Sequence, residues 1–454
     1  MAVIENRDRR SFFRSAGLAA LAGAVGTQSS FGAADATTGV NGKFDFDTPY
    51  NRFGTDSVKW DSAKKTYKLT NLVAGMGIAD VDFKVAPCIT EALTKRIAHE
   101  NWGYLTTPDT FVKGIVAWNK KRYGLDVNPD MVGISTGVHP GIIAALRSFS
   151  PPGSKVALLT PTYNGFYSDL TYTQTRPNES LLKYANGRYS IDFEDFERRL
   201  DRETNTFILC NPQNPTGNVW SAEDLTRLGE ICLRRRVVVL ADEIHCDFVA
   251  KGQKYTPFAS LPNRAIVDNS ITFKAASKSF GLAAMKCAWF FSTNKDIFNA
   301  TRAMNKADLT TVGMISSQTA YAEGEPWLNQ LVEYVDGNLD FVDNFFKTKM
   351  PSLVKVTAKP QGTYLNWLDV SGLAAKIGAK EMAADANKGR PAGMKPLPPE
   401  EMVARWLADK AGVVLNPGDT YGAGGEGHMR MNVGCSRRTL EAALNSMADA
   451  LKKA

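Results

Sequence analysis

The run Phe207–Asp242, FILCNPQNPTGNVWSAEDLTRLGEICLRRRVVVLAD, decides the architecture. Phe207-Ile-Leu-Cys210 is a short apolar run. It stops at Asn211-Pro-Gln-Asn214-Pro-Thr-Gly217, because proline has no N–H for a sheet ladder and fixes its own φ. Ser221-Ala-Glu-Asp224 signals a helix start: a hydroxyl at the cap, acids in the first turn, and Leu225, Leu228 and Cys232 on one face. Arg236-Val-Val-Val-Leu-Ala241 reads as a strand with almost no polar residue. Strands that are apolar throughout, alternating with amphipathic helices, fit a mainly parallel sheet covered on both faces.

The same alternation extends both ways. Upstream, Ile134-Ser-Thr-Gly137 precedes a helix expected over Gly141–Phe149, and Lys155–Leu159 is a strand ended by Pro161. Downstream, Ser270–Lys274 and Ala288–Ser292 add strands. Two helices are expected earlier, Pro87–Ala98 and Phe111–Arg122, with the aromatic loop Trp102-Gly103-Tyr104 between them. Thr37–Lys68 is polar and weakly periodic and reads as an extended arm. Beyond Leu328, Leu331, Val335, Leu339 and Phe345 recur on one helical face. Strands at Val354–Thr357, Thr363–Asp369 and Met429–Val433 follow, then a C-terminal helix. Gly378–Glu401, rich in Gly and Pro, reads as a surface insertion. The expected division is an arm with part of a smaller domain over 37–84, a large α/β domain over 85–327, and a smaller α+β domain over 328–454.

A chain of 454 residues with 44% hydrophobic and 22% charged residues is ordinary for a globular protein. Its net charge of +7 comes without a run of five like charges, which argues against nucleic-acid binding. Arg7-Asp-Arg9-Arg10 precedes Ser11-Phe-Phe13 and the apolar run Ala16–Val25, with small residues near Ala33, Ala34 and Ala36. That order describes an export signal over 1–36, and the paired arginines suggest the twin-arginine type, which leads to a periplasmic protein. No other segment is apolar enough to span a membrane. The six cysteines form no C-x-x-C pair and are expected to be buried free thiols; the four histidines lack metal-ligand spacing, so no metal is expected.

The chemistry concentrates in Phe273–Lys286, FKAASKSFGLAAMK. Lys278 follows a buried strand, where burial lowers an amine's pKa, and a neutral amine attacks an aldehyde to make a Schiff base. Asp242 ends the most apolar strand and needs a cation, such as the protonated ring nitrogen of pyridoxal 5'-phosphate. Asn214 in its proline-flanked turn and His245 are candidates for the ring's phenolic oxygen. Gly137 and Val138 offer backbone amides to a phosphate, Ser277 a hydroxyl and Lys286 a charge. Tyr163 is placed to stack on a ring. An Asp-Glu pair also caps helices and NPxNP also makes turns. The joint order, with one such group per βα unit and each at a strand end, is what points to a cofactor site.

The chain resembles the fold-type I pyridoxal-phosphate enzymes, aminotransferase class I/II, and within them the cystathionine β-lyase group often called MalY/PatB. The matching pieces include ADVDF (Ala79–Phe83), WGY (Trp102–Tyr104), STGVHPG, LCNPQNPTGNVW, DEIHCD, SKSFGLA, GTYLNWLD and LNPGDTYGAGGEGHMRMNVGC. They span nearly the whole chain from Ala79. The resemblance implies a seven-stranded, mainly parallel sheet and a homodimer with shared sites. It also implies Lys278 as the cofactor lysine and Asp242 as its ring-nitrogen partner. Arg430 would bind the substrate carboxylate, with Ala79 beside the substrate, and Tyr104 would reach the neighbouring subunit's phosphate. Departures are Gly77, where these lyases carry tryptophan, and Gln213, where they carry histidine. The implied reaction is cleavage of cystathionine or a related cysteine thioether to pyruvate, ammonia and a thiol. The alternatives are an aminotransferase using the same residues and a non-catalytic binding protein on the same fold.

Overall fold

A computed structural model describes residues 42–391 and 393–453; the export signal expected over 1–36 lies outside them. The large sheet has seven strands in the spatial order Val132–Ser135, Ala288–Phe291, Ser270–Lys274, Val238–Asp242, Thr204–Cys210, Lys155–Thr160 and Arg176–Leu181. Six run one way. Ala288–Phe291 is antiparallel to both its neighbours.

The apolar strands work because alternate residues serve opposite faces. Phe207, Leu209, Val239 and Ala241 pack with Leu225, Leu228, Ile231 and Cys232 of the helix Ala222–Arg235. Ile208, Cys210, Leu240 and Ile271 pack on the other face with Ile142 and Leu146 of the helix Val138–Phe149. Each such side chain contributes roughly 1.5–3 kcal/mol when fully buried. Asp242 sits at the strand end, opposite Cys210 on one side and Phe273 on the other.

A second, antiparallel sheet is ordered Lys355–Val356, Leu365–Asp369, His428–Asn432 and Asn416–Pro417. The helices Glu325–Lys349, Pro399–Ala411 and Arg437–Lys452 bury Leu331, Val335, Leu407, Leu440 and Leu444 into its core. Arg430 lies in register with Trp367 and Asn416.

Five expectations need correction. The stretch expected as an extended arm coils at Val58–Ser62 and Ala63–Thr66, where Lys59 and Trp60 are buried. The helix expected from Gly141 begins three residues earlier, at Val138. The strand expected from Arg236 begins at Val238, because Arg236 ends the preceding helix in the left-handed region, φ 59°. Ala288–Phe291 belongs to the sheet but against its direction, since an apolar run carries no mark of polarity. The segment expected as a surface insertion contains the helix Ala379–Asn387, which buries Ala379 and Ala383, and the following helix starts at Pro399. All six cysteines are free thiols, five buried and Cys88 half-buried. Among the described residues, no helix is long and apolar enough to cross a membrane and no group could hold a metal ion.

Candidate active site

Lys278 follows the strand Ser270–Lys274, and its Nζ donates to the Ala79 carbonyl oxygen at 2.6 Å. Burial, reinforced by the Arg430 charge, lowers its amine from an ordinary 10.5 to about 8. Asp242 is buried, and its Oδ1 accepts one bond, from the Ile244 N–H at 3.1 Å. Burial raises this carboxyl to about 6. An acid so placed is stabilised by a cation entering the site.

Arg430 is 2% exposed. Its Nη1 donates to Asn214 Oδ1 at 3.1 Å and its Nη2 to the Gly77 carbonyl at 2.6 Å. Its guanidinium lies 5.1 Å from the Tyr421 ring centroid. Its Nε has no hydrogen-bond partner, and neither does His245 Nδ1. Burial pushes the His245 imidazole well below its ordinary value, so the ring is neutral. The two unpartnered nitrogens, near Lys278 and Asp242, suit a polar guest better than an apolar core.

The anion end of such a guest has a seat. The helix Val138–Phe149 starts without a side-chain cap, leaving its first amides open. Gly137 at its cap has φ 153°, a conformation that side-chain-bearing residues rarely adopt. Tyr163 carries a hydroxyl pushed up to about 12, mainly by burial. Lys286 is exposed, in the left-handed region with φ 55°, close enough to Lys278 for its charge to be felt. Ser277 flanks Lys278 and its carbonyl accepts from Leu282 N–H at 2.9 Å. Tyr104 does not join the group: it stands wholly exposed on the aromatic loop.

Several residues here were not singled out as site residues from the sequence. His139 Nδ1 bonds Asp169 Oδ2 at 2.7 Å, and its Nε2 lies 3.3 Å from the Tyr163 hydroxyl. Burial alone would lower that imidazole, but the bonded Asp169 holds it above its ordinary value. No local pattern pairs residues 139 and 169. Gln213 Nε2 donates to the Leu159 and Pro161 carbonyls, both at 3.0 Å, and so ties the Asn-Pro turn to the strand end that leads to Tyr163. At Gly77 the missing side chain does not leave a void, because a Cβ there would collide with the Asn416 carboxamide. The departure at Gly77 therefore reshapes this side of the site rather than opening space in it.

The geometry offers a neutralisable amine, an acid awaiting a cation, open amides for a phosphate and a buried guanidinium for a carboxylate. That set suits a phosphorylated, cationic aldehyde ring together with an amino acid. Known proteins agree with this chemistry. The chain is 37% identical over 412 residues to the cystathionine beta-lyase PatB of Bacillus subtilis, covering 89% of this chain and 99% of that one. Cystalysin from Treponema denticola, solved with pyridoxal 5'-phosphate, superposes with a TM-score of 0.80 at 28% identity, covering 90% and 99% of the two chains. A pyridoxal-phosphate-bound putative aminotransferase from Clostridium difficile gives a TM-score of 0.81 at 31% identity, covering 90% and 100%. The family described as aminotransferase class I and II matches residues 72–447, and the chain belongs to that family.

Proposed function

We propose that the protein is a pyridoxal 5'-phosphate-dependent C–S β-lyase acting on cystathionine or a related cysteine thioether. The observation that carries this is the buried Lys278 amine, bonded to the Ala79 carbonyl at 2.6 Å with Asp242 and Arg430 near enough to act on its charge. The bound cofactor supplies an aldehyde for an amine and an electron-withdrawing ring beside the substrate α carbon. Asp242 would balance the ring's positive nitrogen. Asn214 and His245 would bond its phenolic oxygen, and Tyr163 would cover the ring. The amides of Gly137 and Val138, with Ser277 and Lys286, would take the phosphate.

Arg430 clamps the substrate carboxylate, which a planar fork does better than an ammonium. Lys278 takes the α proton: the C–H bond breaks, an N–H bond forms, and the electron pair stays with the substrate carbon. That pair forms the Cα–Cβ double bond as the C–S bond breaks, and sulfur leaves as a thiolate that takes up a proton. Hydrolysis of the remaining fragment gives pyruvate and ammonia. Arg430, Lys278 and Asp242 would also serve transamination, so the test is direct. Purified protein with pyridoxal phosphate should release pyruvate from cystathionine with no keto acid added. Turnover only with an added keto acid would replace this reading with an aminotransferase.

The lyase is proposed to act as a homodimer whose Tyr104 reaches the neighbouring phosphate. In support, Trp102 and Tyr104 stand 53% and 112% exposed on one loop, apolar surface that a partner would cover. Light scattering at twice the chain mass is the expected result. Export as a folded protein to the periplasm is proposed from Arg9-Arg10 and the apolar run after them. Replacing both arginines by lysine should retain the protein in the cytoplasm.

A further inference from the structure

The segment Gly77–Val81 presents five successive backbone carbonyls, and each accepts a hydrogen bond from a side chain. Gly77 takes Arg430 Nη2 at 2.6 Å, and Ile78 takes Asn432 Nδ2 at 2.6 Å. Ala79 takes Lys278 Nζ at 2.6 Å and the Tyr364 hydroxyl at 3.1 Å. Asp80 takes Lys59 Nζ at 2.8 Å and Asn432 Nδ2 at 2.7 Å, and Val81 takes Arg52 Nη1 at 3.2 Å. One end of the strip therefore touches the reaction centre, and the other is held by the arm over residues 52–60.

The arm's hold is ionic and mostly dry. Lys59, with a side chain 1% exposed, pairs with Asp82 Oδ2 at 2.7 Å. Arg52 Nη1 pairs with Asp80 Oδ2 at 2.7 Å and Asp82 Oδ1 at 3.0 Å, and Trp60 Nε1 donates to Asp82 Oδ1 at 2.9 Å. The Lys59 backbone carbonyl presses so closely on Gly75 that any Cβ there would collide with it. A buried lysine with its carboxylate is costly unless geometry and extra hydrogen bonds compensate, and removing one partner is strongly destabilising locally.

We propose that Lys59 and Arg52 are positioning residues for Lys278. By fixing the Asp80–Asp82 end of the strip they hold the Ala79 carbonyl where it accepts an N–H of the Lys278 amine, leaving the nitrogen's lone pair to take the substrate proton. Neither arginine nor lysine of the arm touches the reacting atoms. The role rests on Lys278 being the base, as proposed above.

The test uses the full chain stripped of cofactor and reads the pH midpoint for the rate of colour formation with added pyridoxal phosphate. The charged or titratable groups facing Lys278 are Arg430, Asp80, Asp242, Lys286, His139 and His245. Arg52→Gln, at a partly exposed site, frees Asp80 from its cation, Lys59→Met leaves Asp82 with Arg52 alone, and each admits water; these changes favour the ammonium form of Lys278. The midpoint should rise by about half a pH unit or more. In the loaded enzyme kcat for pyruvate release should fall about 10- to 100-fold with KM within about twofold. Arg52→Lys should restore most of both. If Lys59→Met does not fold, Arg52→Gln decides. An unchanged or lower midpoint in Arg52→Gln, with or without a loss of kcat, overturns the positioning role alone. A parent chain that never takes up pyridoxal phosphate overturns the reading of Lys278, and this role with it.

Discussion

Raising the pH over the cofactor-free protein should switch on capture of pyridoxal phosphate earlier than for an ordinary lysine. Burial and the nearby Arg430 charge bring Lys278 from 10.5 to about 8, about 3 kcal/mol of preference for the neutral amine. With a value of about 8, roughly a tenth of the amine is neutral at pH 7, against about one part in three thousand for an unperturbed lysine. Between pH 7 and pH 9 the neutral fraction rises about tenfold and then nearly saturates; for the unperturbed amine it rises about a hundredfold and continues upward past pH 10. The assay is stopped-flow absorbance of the protein mixed with excess cofactor, with Lys278→Ala as the blank. A tenfold rise that levels off near pH 9 is expected. A slope that continues unchanged past pH 10 would mean that the amine is not desolvated, and the account of the pocket would fail.

Three further outcomes follow from the same site and its supporting helix. Asp242→Asn removes the acid that awaits a cation, and it should lower kcat by about 10²-fold or more while the protein still takes up colour; kcat within a factor of two of the parent would contradict its role. Arg430→Lys loses the fork that spans Asn214 and Gly77. At about 1.5–3 kcal/mol for a charge-assisted bond, kcat/KM should fall about 10- to 150-fold, read from initial rates of pyruvate formation. Ser221→Ala removes one half of a capping box, in which Ser221 Oγ accepts from Asp224 N–H at 3.0 Å and Asp224 accepts from Ser221 N–H at 3.3 Å; stability should drop by about 1 kcal/mol in urea unfolding, with turnover unchanged.

The parts of this fold that were legible in the sequence are those set by local rules. The capping box at Ser221, the apolar strand ending in Asp242 and the proline-bounded turn at Asn214 each announce themselves within a few residues, and each forms. The helix Ala379–Asn387 was also legible in principle. Ala379, Met382 and Ala383 have helical spacing, but the flanking glycines and prolines carry the stronger local signal, that of a loop. The direction of Ala288–Phe291 was not legible, because an apolar run between two turns looks the same either way. The Asp169–His139 pair, the Gln213 tie and the burial of Lys59 were not legible either. Each depends on a partner more than twenty residues away, and Lys59 in particular sits in a stretch whose polarity suggested solvent.

Arg430 is carried by the small sheet and Lys278 by the large one, so no strand spacing fixes the gap between the group that grips the substrate and the group that reacts with it. Transplanting the seven strands into another scaffold would bring a coloured protein with nothing to hold a carboxylate. Evolution can retune the reach between the two by altering a short connecting strip, without touching either sheet.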